Sequence, residues 1–179
     1  MPDTYHVFCG DRRQFWAAEQ LRARGCVVLT HGVPGAEDWP LPAALAGKLL
    51  LPFPSFQGEY LRGKNGLPIA ELLSRIRPGA QAYGALLGAH RADLEAAGAA
   101  VSDLYGSEPM TTLNAIPPAE GAIRLAIDAS PITLHGAQCL VVGFGRVGRV
   151  LAQKLHAVSA YVTVAARKPA DRAMAQAMG

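Results

Sequence analysis

The chain has 179 residues with a formal net charge of +3, and 50% of them are hydrophobic against 17% charged, which excludes a disordered chain. The charge is modest and no basic run occurs, so we expect no nucleic-acid partner. No apolar stretch reaches the length of a membrane span, so we expect no membrane partner.

The three cysteines, Cys9, Cys26 and Cys139, each fall in a predicted strand and lack the spacing of metal ligands. An odd number of such cysteines predicts reduced, buried thiols and no metal site. The N-terminus does not have the basic start and apolar block of a signal peptide, so we predict a cytoplasmic protein.

Strands and helices alternate through the first part of the chain. Asp11 is suited to cap the first predicted helix and Gly25 to end it. The alternation predicts a parallel α/β domain of the flavodoxin or Rossmann-like type over residues 1–113. The predicted strands cover residues 4–9, 26–30, 48–51, 81–84 and 100–104, and the predicted helices 12–24, 68–75 and 91–97.

Two segments connect the predicted elements and do not continue the alternation of strands and helices. Residues 53–67 are rich in Gly, Pro and aromatic residues, which predicts a long surface loop of the kind that often carries function. Residues 114–130 predict a connector between domains, with a helix from 117 to 129. Gly121 lowers helix propensity there by up to about 1 kcal/mol, so we expect a close approach by another helix or by a ligand.

A glycine-rich stretch follows a short apolar run and precedes a helical pattern. In the pattern Gly-x-Gly-x-x-Gly, the first glycine allows the turn, the second lets a pyrophosphate approach the backbone, and the third lets the helix pack against the strand. The N-terminus of the helix then faces the phosphates. The predicted cofactor-binding residues are Gly143, Phe144, Gly145, Arg146, Val147 and Gly148.

The surroundings of this stretch support a dinucleotide site. Residues 140–142 predict a fully buried parallel strand, and 161–165 a second strand rich in β-branched residues. Between them, apolar residues recur at helical spacing and Arg149 falls on the opposite, solvated face. Residues 131–179 thus predict the first βαβ part of a doubly wound dinucleotide-binding domain.

The tip of the second strand indicates which dinucleotide binds. An NAD site usually has an acidic residue there for the ribose hydroxyls, but this chain has Arg167 and Lys168. Two cations suit a 2′-phosphate, with Arg167 as a planar fork and Lys168 as a point charge. We therefore predict NADP, with NAD as the alternative.

Several motifs occur in order along the chain, at residues 10–14, 114–123, 125–127, 133–136, 143–148 and 165–167. Together they closely resemble the A subunit of dipicolinate synthase. The resemblance implies a two-domain NAD(P)-dependent oxidoreductase that makes dipicolinate, the pyridine dicarboxylate of bacterial spores, from the dihydrodipicolinate-level intermediate of lysine synthesis. It also implies a partner, the flavoprotein-like B subunit of the same enzyme.

Two departures from that family have consequences. Ser159 stands where the family usually has Gly, in a left-handed position that is less comfortable for Ser. The second βαβαβ half of a doubly wound domain does not follow before Gly179. We therefore expect a fragment that self-associates as a homo-oligomer and lacks turnover alone. One face of Val141 and Val164 then needs cover from the first domain, from the helix over 114–129 or from a second copy of the chain.

Five residues are candidates for substrate binding and catalysis. Arg13 begins a helix, where a cation opposes the helix dipole unless an anion binds, so the turn with Asp11 and Arg13 is predicted to hold the dicarboxylate. Ser55 follows the third strand. The resemblance gives Glu120 a role in orienting substrate or as general base, and Asn114 one in hydrogen bonding. His135 precedes its strand, so it lies at the wrong end of the sheet for catalysis.

Two other functions remain open at this point. A nucleotide-sensing regulatory domain of a cation transporter also carries Gly-x-Gly-Arg-Val-Gly, but usually keeps the acid that Arg167 replaces. The second alternative is another two-domain NAD(P)-dependent dehydrogenase, such as a hydroxyacid dehydrogenase.

Overall fold

The computed structural model describes residues 3–179, and the chain divides into two compact units, 1–107 and 108–179. The predicted connector therefore lies inside the second unit. Across the described residues, no helix combines the length and the apolar character that a membrane crossing requires.

The first unit alternates strands and helices, as the sequence predicted. In chain order it contains β1 (Thr4–Phe8), α1 (Arg12–Ala23), β2 (Val27–His31), β3 (Lys48–Leu50), β4 (Phe56–Gln57), β5 (Tyr60–Leu61), α2 (Ile69–Arg75), β6 (Gln81–Gly84), α3 (His90–Ala96), β7 (Ala100–Asp103) and a 3-10 helix (Leu104–Gly106).

Five of these strands form one parallel sheet in the order β2-β1-β3-β6-β7. This is the flavodoxin-like order, which confirms the predicted fold class and all five predicted strands. The direction of the chain across the sheet reverses between β1 and β3. Ligands of open α/β sheets bind outside the carboxyl ends of the strands at such a reversal, called the switch point.

Helix α1 begins and ends as its sequence predicted. The Asp11 carboxylate accepts a hydrogen bond from the Arg13 N–H, and the Gln14 side-chain oxygen accepts one from the Asp11 N–H, so Asp11 and Gln14 form a capping box. Gly25, with φ +79°, follows the C-terminal cap. The helix start is therefore held rigidly at the end of β1.

Apolar side chains cover both faces of the sheet. Leu49, Leu72 and Leu94 are buried in the larger cluster, and Val7 and Ala18 in the smaller one beneath α1. Burying one such large side chain contributes about 1.5–3 kcal/mol. Cys9 and Cys26 lie one residue outside their strands instead of within them, and all three cysteines are free.

The predicted loop 53–67 contains a small antiparallel hairpin, β4 and β5, that the sequence did not reveal. The segment after β5 lies against the turn that follows β1. Gly63 and Gly10 form an isolated parallel bridge, and a Cβ built on Gly63 would lie 2.6 Å from the Gly10 nitrogen. Only glycine permits so close an approach, so the contact between the segment after β5 and the turn after β1 depends on Gly63.

The second unit contains the predicted βαβ arrangement. Its elements are α4 (Glu108–Leu113), α5 (Ile116–Ala129), β8 (Gln138–Val142), α6 (Arg146–Ala157), β9 (Tyr161–Ala165) and α7 (Pro169–Ala177). Strands β8 and β9 pair in parallel, and a cluster that includes Val141 and Leu155 packs on one face of them. Helix α4 was not predicted.

The prediction that residues 140–142 are fully buried is wrong. Leu140 is 65% exposed and Val142 is 80% exposed, whereas Val141 between them is buried. The strand alternates because helices cover only one face of the β8–β9 pair. The apolar face without cover therefore carries Leu140 and Val142, not Val141 and Val164 as expected.

The sequence led to one expectation about the backbone at Ser159 and one at Gly121, and the structure agrees with the first but not with all of the second. Ser159 has φ +64°, which confirms the predicted left-handed position and its poor fit to Ser. A Cβ built on Gly121 would meet no atom within 4 Å. The expected approach of another helix to Gly121 is therefore wrong, and the alternative of an approaching ligand stays a prediction.

Candidate functional site

The three glycines after β8 have three different structural reasons. Gly143 has φ +97°, a conformation that residues with side chains rarely adopt. A Cβ on Gly148 would collide with the Gly143 carbonyl oxygen, so α6 starts in direct contact with the turn. A Cβ on Gly145 would meet nothing within 4 Å, which leaves room beside the backbone for a phosphate.

Helix α6 begins at this turn with its first N–H groups available. Gly145 is its N-terminal cap residue and makes no side-chain cap bond. The orphan N–H groups and the positive end of the helix dipole favour a bound anion. The turn, the open space at Gly145 and the helix start together fit the pyrophosphate of a dinucleotide.

A cleft of about 400 Å³ adjoins this turn and brings five of the predicted cofactor residues together. The ring of Phe144 is buried although the residue contributes to the wall. Arg146, Val147 and Gly148 do not line the cleft. Its walls are formed by Val142, Gly143, Phe144, Gly145, Ala165, Ala166, Arg167, Lys168 and Asp171.

Arg167 and Lys168 lie at the tip of β9 with exposed side chains that make no hydrogen bond or ion pair with any described residue. The main chain of this tip is hydrogen-bonded to a side chain of α7. The Arg172 guanidinium donates to the carbonyl oxygens of Ala166 and Arg167 at 2.9 and 2.8 Å. Two free cations on a fixed tip suit a 2′-phosphate.

Asp171 and Arg149 belong to the same cleft region, and the sequence did not single them out. Arg149 is exposed, as expected, and it also has two partners: its Nη2 donates to Asp171 at 2.9 Å and its Nε donates to the Phe144 carbonyl at 3.1 Å. Its guanidinium also lies 5.4 Å from the centre of the Phe144 ring. Arg149 thus ties the glycine-rich turn to α7.

Arg146, the fourth residue of the motif, forms an ion pair with Glu108 at the start of α4. The Nη2–Oε2 distance is 2.6 Å and both side chains are largely exposed. Its guanidinium lowers the pKa of the Glu108 carboxyl through a hydrogen bond and its charge. A phosphate at the start of α6 would compete with this carboxylate for Arg146.

The predicted substrate residues Asp11 and Arg13 meet at the switch point of the first unit. Arg13 binds the Asp11 carboxylate through Nε and Nη2, with an Nη2–Oδ2 distance of 2.7 Å, and its Nη2 also donates to the Phe53 carbonyl at 2.5 Å. This pairing lowers the pKa of Asp11. Arg13 therefore links the loop after β1 to the loop after β3.

Ser55 is 0% exposed and its hydroxyl has two partners. It donates to the Pro52 carbonyl at 2.9 Å and accepts from the Ala85 N–H at 2.8 Å. The hydroxyl therefore joins the loops after β3 and β6, and no free donor or acceptor faces solvent.

Asn114 and Glu120 lie at the N-terminal part of the predicted connector. Asn114 sits between α4 and α5 with an exposed side chain. Glu120, on α5, accepts a hydrogen bond from Lys154 of α6 at 2.9 Å, and this partner was not foreseen. The catalytic and hydrogen-bonding roles of the two residues stay predictions.

His6 and His31 form a buried pair between β1 and β2, with His6 Nδ1 and His31 Nε2 3.0 Å apart. His31 Nδ1 lies 3.0 Å from the Trp39 carbonyl, which can only accept, so that nitrogen carries hydrogen. In the neutral pair His6 therefore donates to His31. Burial lowers the pKa of both rings, that of His6 to about 4.

The chain is similar to known proteins in sequence and in fold. No family model matches the chain. The curated A subunit of dipicolinate synthase from Bacillus subtilis (strain 168) is 40% identical over 76 residues, which are 42% of this chain and 26% of the relative. The chain thus spans about a quarter of that relative in the matched part.

Two solved structures share the fold of the whole chain. The dipicolinate synthase A chain from Bacillus subtilis has a TM-score of 0.74 and 24% identity, over 100% of this chain and 65% of that chain. The A subunit of dipicolinate synthase from Bacillus halodurans has a TM-score of 0.73 and 22% identity, over 99% and 66%. The chain is therefore similar in sequence and in fold to the A subunit of dipicolinate synthase, which confirms the resemblance that its motifs predicted.

Proposed function

We propose that this chain acts in an NADP-dependent oxidoreductase that converts the dihydrodipicolinate-level intermediate of lysine synthesis to dipicolinate during sporulation. The observation that carries the proposal is the glycine-rich turn, with room beside Gly145 and a direct contact between Gly148 and Gly143. The similarity to the A subunit of dipicolinate synthase supports the substrate class.

The second unit holds the cofactor in this proposal. The start of α6 and Gly145 receive the pyrophosphate, and Arg167 and Lys168 bind the 2′-phosphate of NADP. Asp171 is the acid nearest to them in the cleft, and its pairing with Arg149 offsets its charge. NADP is therefore favoured over NAD.

The first unit holds the dicarboxylate through Arg13, whose Nη1 makes no hydrogen bond to a described residue. When bound, NADP⁺ would supply a hydride acceptor. For the second unit, hydrogen bonding to substrate by Asn114 and proton abstraction by Glu120 stay predictions that the family resemblance supports. Ser55 holds the surrounding loops and does not contact substrate. The B subunit of dipicolinate synthase and a second copy of the chain are the expected partners.

Titration of dipicolinate into the chain, followed by amide chemical shifts, tests this proposal. We expect the shifts in the loops after β1 and β3 and a loss of affinity in Arg13→Ala. L-lactate, a 2-hydroxy acid, serves as the comparison ligand. Preferred binding of lactate would favour a hydroxyacid dehydrogenase, and binding of nucleotide without dipicolinate would favour a nucleotide-sensing domain. Either result would overturn the proposal.

A further inference from the structure

The segment after β5 places an arginine at the switch point that the sequence did not single out. The Arg62 N–H donates to the Ser55 carbonyl at 2.9 Å, and the Gly10 N–H donates to the Arg62 carbonyl at 2.8 Å. The main chain of Arg62 is thus bonded both to the loop after β3 and to the turn after β1. The switch point lies between these two segments.

The neighbouring Gly63 fixes this placement. It has φ +150°, and a Cβ on it would lie 2.6 Å from the Gly10 nitrogen and 3.1 Å from the Cys9 Cβ. The segment therefore approaches the end of β1 as closely as backbone atoms allow. The position of Arg62 follows from backbone contacts on both sides and does not depend on its own side chain.

The side chain of Arg62 is exposed, and it makes no hydrogen bond or ion pair with the residues that the structure describes. Its positive charge nevertheless acts on the site, since it contributes to the lowered pKa of Asp11 after the larger contributions of Arg13. Arg12, at the start of α1, is also exposed and unpaired among the described residues. The single negative charge of Asp11 offsets only one of the two positive charges of Arg13 and Arg62.

Two guanidinium groups from two segments, those of Arg13 and Arg62, therefore act on one engaged carboxylate. Such a surplus of positive charge favours a ligand with two negative charges over a ligand with one. Arg13 is already partly occupied by Asp11 and Phe53, whereas all the donors of the Arg62 guanidinium are available.

We propose that Arg62 binds the second carboxylate of a small dicarboxylate at the switch point and so selects dianions over monoanions. This inference rests on the proposed function for the class of ligand. Arg13 receives one carboxylate and Arg62 the other, with a planar fork facing each.

The test compares dipicolinate with picolinate, which has the same ring and one carboxylate, in wild type and Arg62→Gln. We expect dipicolinate to bind more tightly than picolinate to wild type, and Arg62→Gln to weaken dipicolinate at least about tenfold while picolinate changes little. Arg62→Lys should keep part of the preference. The matched control is Arg77→Gln, an exposed arginine before β6 at the opposite end of the sheet, which should leave both affinities unchanged.

An unchanged preference in Arg62→Gln would overturn the inference, as would an equal loss for both ligands, which would indicate a general effect of charge. The amide spectrum of each variant shows whether the fold is kept. If dipicolinate binds at the switch point but Arg62→Gln behaves as wild type, only this inference fails. If dipicolinate does not bind there at all, the proposed function fails with it.

Discussion

Gly148 lies directly against the Gly143 carbonyl, so that not even a methyl group fits between the start of α6 and the turn after β8. Gly145, between them, borders open space instead. The same motif therefore contains one glycine required by packing and one that leaves room for a ligand, and substitution should separate the two.

Gly145→Ala should weaken dinucleotide binding at least about tenfold, because the methyl group occupies the space of the pyrophosphate, and it should leave unfolding nearly unchanged. Gly148→Ala should lower the stability of the second unit by about 1–3 kcal/mol through overpacking. Fluorescence titration and thermal unfolding measure the two effects. Gly121→Ala, also in open space, is the control and should stabilise α5 by up to about 1 kcal/mol. Unaltered nucleotide affinity in Gly145→Ala would contradict the assigned site.

The buried pair of His6 and His31 predicts loss of stability in acid. The folded pKa of His6 is about 4, below the value of about 6.5 for an unfolded His, so between these values the unfolded chain binds more protons. Stability should fall as the pH falls from about 6.5 to about 4, by at most about 3 kcal/mol from His6.

Urea unfolding at several pH values, followed by tryptophan fluorescence, measures this effect in the first unit, because Trp16 and Trp39 both lie there. His6→Phe should flatten the pH dependence, whereas His135→Phe, at an exposed position of the second unit, should not. The same slope in His6→Phe and wild type would show that the pair does not cause it.

Ser159 with φ +64° is strained in the turn between α6 and β9. Ser159→Gly should stabilise the second unit by roughly 0.5–1 kcal/mol, the relief of left-handed strain minus the entropy that Gly adds to the unfolded chain. Calorimetry measures the change. Ser102→Gly, in the extended backbone of β7, is the control and should destabilise the first unit. A lower melting temperature for Ser159→Gly would refute the strain.

The sequence was sufficient to predict features that depend on neighbours along the chain. The five strands of the first sheet, the Asp11 cap and the conformation of Ser159 follow from local patterns. The partners of Glu120 and Arg149 were missed, because Lys154 and Asp171 approach them only when helices pack. The place of Arg62 depends on backbone bonds to Gly10 and Ser55 and has no local signal.

The exposure of Leu140 and Val142 also depends on tertiary packing and could not be predicted from the local sequence. A run of apolar residues predicts a strand, but which face is covered depends on the helices that pack against it. The prediction of NADP likewise used only Arg167 and Lys168 at the tip of β9. It did not foresee that Asp171, on the following helix α7, also lines the cleft.

The affinities of NADPH and NADH for the chain, measured by fluorescence titration in wild type and Arg167→Asp, test the central claim most directly. We expect wild type to bind NADPH at least about tenfold more tightly, since a bidentate phosphate contact contributes on the order of 1.5–3 kcal/mol, and Arg167→Asp to abolish that preference. Equal affinities in wild type, or NADPH binding unchanged by Arg167→Asp, would contradict the account.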